Sequence, residues 1–595
     1  MATIVIMELN VYFMTSIISI EPINYIKHVI LTGRPNFNYF LVKYNSYLFL
    51  KKPVVLSLLL LTFYIPSLAD KYPFNHAIDI QHYDFHLTLS DNTDQIIGVA
   101  EIEILFLEKN IFEFRLDLAN KTKSRLGKGM EIVAINSEGN PLAYVHQGDS
   151  LMIQLKDPSR KESIQSFTIQ YQGIPEKGLE IKNNHHGDRT FFCESWPNNT
   201  RHWLPTIDHP YEKTTVEFRI VAPLKYKVVS NGLLLEESQM DPINKLTHWK
   251  QSVPISCWLF VIGVAEFAVQ EVDKFEGRSI QSWVYYQDRE AGFKDFANQT
   301  KNVLQFFSNY VGPFAYEKLA NVQSASVENG AMETASAILY SQNLISGQES
   351  ARLRNVMIHE IAHQWFGNSV TESTWDDAWL SEGFATYFTL LFHEYQYGHH
   401  EYIKGLKESK KSVFDAQLRD PFFSVIADRT AETGPVISGL TYQKGAWFLH
   451  MLRNRIGHEN FKLGIQEYYM KYFNGHADTG DFRGVMEHIV NEDLGAFFEQ
   501  WLLHPDLLII KGEWTFDEKT DKIDIKLTQG TDKEILFDMP VEFEIQYANG
   551  APALLVKLNL NAQTQAFKIP SEYKPAVIVA DPKTNLLARI DINEL

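Results

Sequence analysis

Residues 359–388 read HEIAHQWFGNSVTESTWDDAWLSEGFATYF. The stretch opens on His-Glu-x-x-His and carries Glu382 inside a second apolar segment. Helical residues four apart are rotated by about 40° from one another, so His359 and His363 share a face. Two imidazoles at that spacing can hold one metal ion. Glu360 stands beside the first, where a carboxylate can take a proton from a metal-held water. A catalytic zinc site normally has three protein ligands and an open position. Glu382 supplies the third if the second helix packs on the first; the 18 residues between His363 and Glu382 leave room for a loop and a helix start. Asp376, Asp377 and Ser381 lie around that start, which suits capping. The flanking Val356, Met357, Ile361, Ala362, Trp365 and Phe366 are apolar, and burying two His and a Glu among them is costly without a metal or other partners. His393, His399 and His400 have no companion spacing and read as ordinary surface or helix-end residues.

Working outward, the pattern on either side differs. From about 76 to 265 it has period two: Tyr83, Phe85, Leu87 and Leu89 alternate with polar residues, and VAEIEILFL and SFTIQYQG continue in that style. Turn signals such as Ser90-Asp91-Asn92 and Gly187-Asp188 separate the runs, which predicts an antiparallel β domain. From about 270 to 505 longer helical segments take over. ARLRNVMIHEIAHQWFG, WLSEGFATYFTLLFHEYQYG and YQKGAWFLHMLRNRIG each end at a glycine, a helix stop signal. After His504-Pro505 alternation returns at Trp514/Phe516, Ile523/Ile525/Leu527 and Val541/Phe543/Ile545, as in a small β-sandwich. The expected fold class is multidomain α+β. Its parts are an N-terminal extension with a leader or anchor (1–69), a β domain (70–266), a mostly helical catalytic domain (267–506) and a C-terminal β-sandwich (507–595).

The totals agree with a large globular protein. Of 595 residues, 45% are apolar and 22% charged, enough for several cores and unlike a disordered chain. The net charge of −18 argues against nucleic acid or anionic membrane surfaces as partners and favours cationic ligands, such as peptides with a free amino terminus. Cys193 and Cys257 cannot build a disulfide framework or a metal-type Cys pair, and whether they bond to each other is open. Lys51-Lys52, the apolar run 53–66 and the small Ala69 resemble a secretory signal peptide, which predicts export to the periplasm or the extracellular space with cleavage near Ala69. The run is short for a membrane span, which needs roughly 20 residues, and an uncleaved anchor is the alternative. Residues 1–50 fit neither pattern.

HEIAHQWFG followed by WDDAWLSEGFATYF resembles the gluzincin aminopeptidases, the family of aminopeptidase N and leukotriene hydrolase. Gly330-Ala331-Met332-Glu333 resembles that family's exopeptidase motif, and Tyr442-x-Lys444-Gly445 its catalytic tyrosine motif. Order and approximate spacing agree over most of residues 76–595. The resemblance implies a thermolysin-like catalytic domain with one Zn2+ per chain on His359, His363 and Glu382, and Glu360 as base. It implies that Glu333 binds the substrate's free α-amino group, that the segment Gly330, Ala331 and Met332 lies along the substrate, and that Tyr442 stabilises the oxyanion. A carboxylate can pair with an ammonium group, and a phenol can donate to an oxygen that becomes negative. Read alone, Tyr442 is an ordinary amphipathic residue and Glu333 a surface acid; only their place in the pattern raises them.

The implied activity is that of a zinc aminopeptidase acting on one N-terminal residue per cycle. Three departures stand out. Thr334 replaces the motif's usual Asn. Glu194 and Trp196 fall where many relatives carry a Gln and a Glu near the substrate amine, so Glu194 replaces the second acidic anchor in part. The chain ends soon after the sandwich, without the long helical domain that covers the site in many relatives, which implies easier access. A zinc endopeptidase, an epoxide hydrolase side activity and a non-catalytic peptide-binding scaffold are the rival readings.

Overall fold

Alternation decides the first architecture. In the strand Ile78–Thr88, Tyr83, Phe85 and Leu87 are buried while His82, Asp84 and His86 face the other side. The period slips once, at a bulge between Ile80 and His82. The computed structural model describes residues 72–297, 299–426, 437–530 and 535–595. The leader-like stretch 53–69 and the extension before it lie outside these. Residues 67–595 form one compact unit.

The first layer is an eight-stranded sheet whose central strands are Lys213–Pro223, Ile78–Thr88, Ile96–Phe106 and Ser163–Ile174. It is not wholly antiparallel as predicted: Ile78–Thr88 pairs with Lys213–Pro223 in parallel, from His82 opposite Thr215 to Thr88 opposite Val221. Alternation fixes which face a residue takes but not the direction of a strand's neighbour. Parallel neighbours need a long crossover, and residues 89–212 supply it.

The middle region is mostly helical, as expected, and also holds a sheet that periodicity did not reveal. It begins with a five-stranded sheet in the order Phe267–Phe275, Arg278–Tyr285, Lys318–Ser324, Ala337–Ser341 and, at the edge, Ala331–Met332. Every residue of Lys318–Ser324 and of Ala337–Ser341 is buried, so these strands lack the alternation that marks a half-exposed strand. Two helices, α1 (Arg289–Ala297) and α2 (Thr300–Tyr310), lie between the sheet's strands Arg278–Tyr285 and Lys318–Ser324, and after the sheet come α3 (Ala351–His363), α4 (Trp379–Tyr397), α5 (His399–Arg419), α6 (Gly439–Ile456), α7 (His458–Lys471) and α8 (Thr479–Val490). α4 and α6 stop at Gly398 and Gly457, both at positive φ, as their sequences predict. Beyond them, sheets of four and three strands bury Trp514, Ile523, Ile525, Leu527, Val541, Phe543 and Ile545. The cysteines are free and buried apart, each with its thiol on a carbonyl oxygen, Cys193 on Phe260 and Cys257 on Ile207.

One contact sets the spacing of the helices that matter most. α4 and α6 cross glycine to glycine: a Cβ on Gly383 would lie 3.0 Å from Gly445 Cα, and one on Gly445 would lie 3.1 Å from Gly383 Cα. The obstacle is backbone, which cannot move aside as a flexible side chain can. Gly445→Ala should therefore destabilise the protein, because overpacking costs about 1–3 kcal/mol against at most about 1 kcal/mol gained in helix propensity. Gly484, exposed on α8 with open space around its Cβ direction, gives the opposite sign. Gly484→Ala should add about 0.5–1 kcal/mol. Denaturant unfolding of the two variants checks both signs.

Candidate active site

α3 begins where Ser350 caps it, its Oγ accepting from the Leu353 N–H at 3.2 Å. It ends at His363, four residues before the predicted glycine stop. Gln364 to Gly367 then turn back, with the Gly367 N–H donating to the Val370 carbonyl at 2.8 Å. Gly367 has φ 102°, and a Cβ there would sit 2.2 Å from Ser381 Oγ and 3.4 Å from His363 Nδ1. Only glycine lets this turn lie against the back of the His363 ring.

α4 brings Glu382 to the same place, but its start is not capped as predicted. Ala378 takes the cap position without a side-chain bond. Asp377 Oδ1 instead accepts from the Thr479 N–H and hydroxyl, which ties the start of α4 to that of α8. Ser381 faces inward and meets His363 Nδ1 at 3.0 Å.

Three donor atoms converge. His359 Nε2 and His363 Nε2 are 3.1 Å apart, and each lies 3.3 Å from Glu382 Oε2. Hydrogen bonds cannot satisfy this triangle: protons on both nitrogens face each other, and a nitrogen without one points its lone pair at a carboxylate oxygen. A cation satisfies all three lone pairs. Zinc–nitrogen and zinc–oxygen bonds of about 2.0–2.1 Å place tetrahedral ligands about 3.3–3.4 Å apart, close to the observed edges. The Phe366 carbonyl, 3.2 Å from His363 Nδ1, can only accept, so that nitrogen carries the proton and leaves Nε2 free to ligate. The donor set fits zinc.

Acids crowd the same pocket. Glu333, Glu360 and His363 have donor atoms within 4.8 Å of one another, all buried. Burial pushes the Glu360 carboxyl well above the usual range, and Glu333 adds to it. Burial likewise raises Glu333. His363 is lowered by burial, yet Glu333 and Glu382 lift it to about 10. Burial would raise Glu382, but the two imidazoles hold it at about 2. Counting protein charges alone, the pocket is built to hold positive charge.

Tyr442, on the first turn of α6, donates to Glu382 Oε1 at 2.7 Å, and its ring stacks near His359 with centroids 6.0 Å apart. The phenol thus touches the free oxygen of the third donor residue. Gly330, Ala331 and Met332 lead into Glu333 along the edge of the five-stranded sheet, Ala331 opposite Tyr340 and Met332 opposite Leu339. Thr334 is buried and its hydroxyl donates to the Ala337 carbonyl, so it braces the backbone. Glu194 is not in the cluster. It ends the strand Arg189–Glu194; partial desolvation of its carboxyl and the charge of Glu180 raise it, with Glu328 of the loop before Gly330 also acting on it. Trp196 packs edge-on against Trp375, centroids 5.7 Å apart.

The sequence reading missed several supports. Gln364 Nε2 and Asn368 Nδ2 both donate to the Glu333 carbonyl, at 3.1 and 2.6 Å, and fix the acid's backbone to the end of α3. Glu372 is buried, and burial lifts it to about 8. The signal for Gln364, Asn368 and Ser381 was their proximity in sequence to the ligands, which does not say where a side chain points. His393, expected as an ordinary surface residue, is half-buried and meets Asn355 Oδ1 at 3.1 Å. Both line a groove of about 490 Å³ that also holds His359, Glu360 and Tyr442.

Two imidazoles one helical turn apart with a carboxylate from the next helix define a gluzincin-type metal centre. The chain belongs to peptidase family M1: the family's N-terminal domain matches residues 80–259, and its peptidase domain matches residues 296–501. Glutamyl aminopeptidase of Bos taurus is 32% identical over 319 residues, which cover 51% of this chain and 33% of that protein. The human glutamyl aminopeptidase is 30% identical over 321 residues with the same shares. A probable aminopeptidase of Saccharolobus solfataricus is 25% identical over 73% of this chain and 54% of its own. The chain thus matches about a third of the length of the mammalian relatives. A solved M1 zinc metallopeptidase of Deinococcus radiodurans shares the fold, with TM-score 0.60 and 23% identity over 72% of this chain and 94% of that one. No helix among the described residues is long and apolar enough to cross a membrane.

Ser381 supports the ring of His363 from behind, and such partners are typically worth 10–100-fold in metal affinity. Ser381→Ala should weaken zinc binding by about tenfold without unfolding the protein, measured by competition with a chromogenic chelator.

Proposed function

We propose that this chain is a zinc-dependent aminopeptidase that hydrolyses the N-terminal peptide bond of peptides, one residue per cycle. The observation that carries this reading is the buried Glu333 carboxylate beside the His359–His363–Glu382 triangle, at the end of the sheet's edge strand. A peptide can add to such an edge by backbone pairing. Its free ammonium group then meets Glu333, and the first peptide bond falls at the triangle. Membership of family M1 and the relatives named aminopeptidase support the same activity.

His359, His363 and Glu382 hold the metal in this reading. Zinc bound there supplies Lewis-acid polarisation of the scissile carbonyl. Glu360 takes a proton from the attacking water and passes it to the leaving amine, a step suited to a carboxyl that its surroundings raise. Tyr442 turns its hydroxyl from Glu382 Oε1 to the oxygen that becomes negative. Glu333 fixes the amino end and thereby sets the cleavage position. Glu194, on the approach to Gly330, assists through its charge. Substrates are peptides with a free amino terminus, not nucleic acid. The relatives' name makes α-glutamyl amides one class to assay. A zinc endopeptidase has no use for a buried acid at the end of the edge strand.

The test compares aminoacyl amides with their N-acetylated forms. Wild-type protein should cut the free-amine substrates, lose activity with a chelator and barely touch the acetylated ones. Losing one partner of a buried ion pair costs about 3–5 kcal/mol, so Glu333→Ala should lower kcat/KM by about 10²–10⁴-fold with zinc retained. Efficient cleavage of acetylated peptides at internal bonds would sink the exopeptidase reading. Glu360→Gln should keep one zinc per chain and lose about 10²–10⁴-fold in kcat; equal loss of zinc would make Glu360 a ligand.

The 53–69 pattern supports export with cleavage near Ala69. N-terminal sequencing of secreted material should begin near Asp70, and an intact 1–69 on a membrane-bound protein would favour the anchor.

A further inference from the structure

A second group of metal-ligating side chains lies outside the catalytic cleft. His185 and His186 occupy the turn after the strand Gly178–Asn183, and Asp288 ends the short helical turn before α1. His185 Nε2 lies 2.8 Å from His186 Nε2 and 2.9 Å from Asp288 Oδ2, and His186 Nε2 lies 2.9 Å from Asp288 Oδ1. Each nitrogen can donate to its own Asp288 oxygen, but that leaves two protonated nitrogens crowded at 2.8 Å; with one bare, its lone pair faces a carboxylate oxygen. A cation among them meets every lone pair.

The surroundings hold these atoms in place. The buried Asn184 accepts from the N–H groups of His186 and Asp188 at 2.9 and 3.0 Å, which shapes the turn. The His185 N–H donates to Gln342 Oε1 at 3.0 Å. Gln323, fully buried, donates to Asp288 Oδ2 at 2.7 Å and accepts from the Tyr285 N–H, as a partner that orients a metal-binding carboxylate does. The ring faces themselves reach solvent, leaving room for water ligands.

We propose that His185, His186 and Asp288 form a second metal site, for a six-coordinate divalent transition ion. Imidazole nitrogens 2.8 Å apart subtend about 90° at an ion with bonds of about 2.0–2.1 Å, the angle of neighbouring octahedral positions. The catalytic triangle is wider and suits a tetrahedral ion. Two imidazoles and a carboxylate select ions such as nickel, cobalt, iron or manganese over calcium and magnesium. The site joins a hairpin of the region matched by the M1 N-terminal domain to Asp288, which lies between the two matched regions, so the bound ion acts as a clip across that junction.

Zinc-loaded full chain is dialysed against nickel chloride, then against metal-free buffer, and both metals are counted per chain. One nickel beside one zinc is expected, with a rise in Tm on nickel binding. The His185→Ala/His186→Ala variant should keep its zinc and its peptidase activity, retain no nickel and show no Tm rise. Asp288→Asn should weaken nickel binding by about tenfold or more. Wild-type protein that retains no nickel, or a double variant that retains as much, overturns the proposal. The zinc count and activity are read separately, so failure of the aminopeptidase reading leaves this result interpretable.

Discussion

Three carboxylates and two imidazoles share one buried pocket, and the rest of the catalytic architecture answers to that concentration of charge. Glu333, Glu360 and Glu382 are each no more than 7% exposed, as is His363 at 1%. In a medium of low dielectric, burial and mutual repulsion push Glu333 and Glu360 toward their neutral forms, while the two imidazoles keep Glu382 charged. A cation among them favours the charged form of all three.

The scaffold around the pocket is stiff for the same reason. α4 and α6 approach to backbone contact at Gly383 and Gly445, which places Tyr442 within 2.7 Å of Glu382. Gly367 lets the chain turn tightly behind His363 and admits Ser381 to the ring's outer nitrogen. Gln364 and Asn368, the next residues along, reach across to the carbonyl of Glu333. One short run of sequence thus supplies two metal donors, their outer support and the brace for the residue that would read the substrate's amine.

The sequence made some of this visible and hid the rest. The donor triangle was readable because a four-residue helical spacing leaves little geometric freedom. Period two correctly placed Tyr83, Phe85 and Leu87 in the core, but it carries no record of strand direction, so the parallel pairing with Lys213–Pro223 was invisible. Fully buried strands such as Lys318–Ser324 show no period at all. The acids before α4 looked like caps, since capping is their commonest local use; α8, a hundred residues later, claimed Asp377 instead. Local patterns report local geometry, and each miss came from a partner remote in sequence.

The edge strand and the pocket are also coupled in a way that bears on selectivity. Glu333 follows directly on Ala331–Met332, so the residues that would pair with a substrate backbone and the acid that would meet its terminus form one continuous segment. The Glu333 backbone is held by two side-chain amides from the end of α3, which fixes the distance from acid to metal donors. A peptide extended past Glu333 would have to bury an uncharged amide against this carboxylate, leaving the acid unpaired at a cost of several kcal/mol. On the aminopeptidase reading proposed above, cleavage position would follow from where the charge lies and not from the shape of any side-chain pocket.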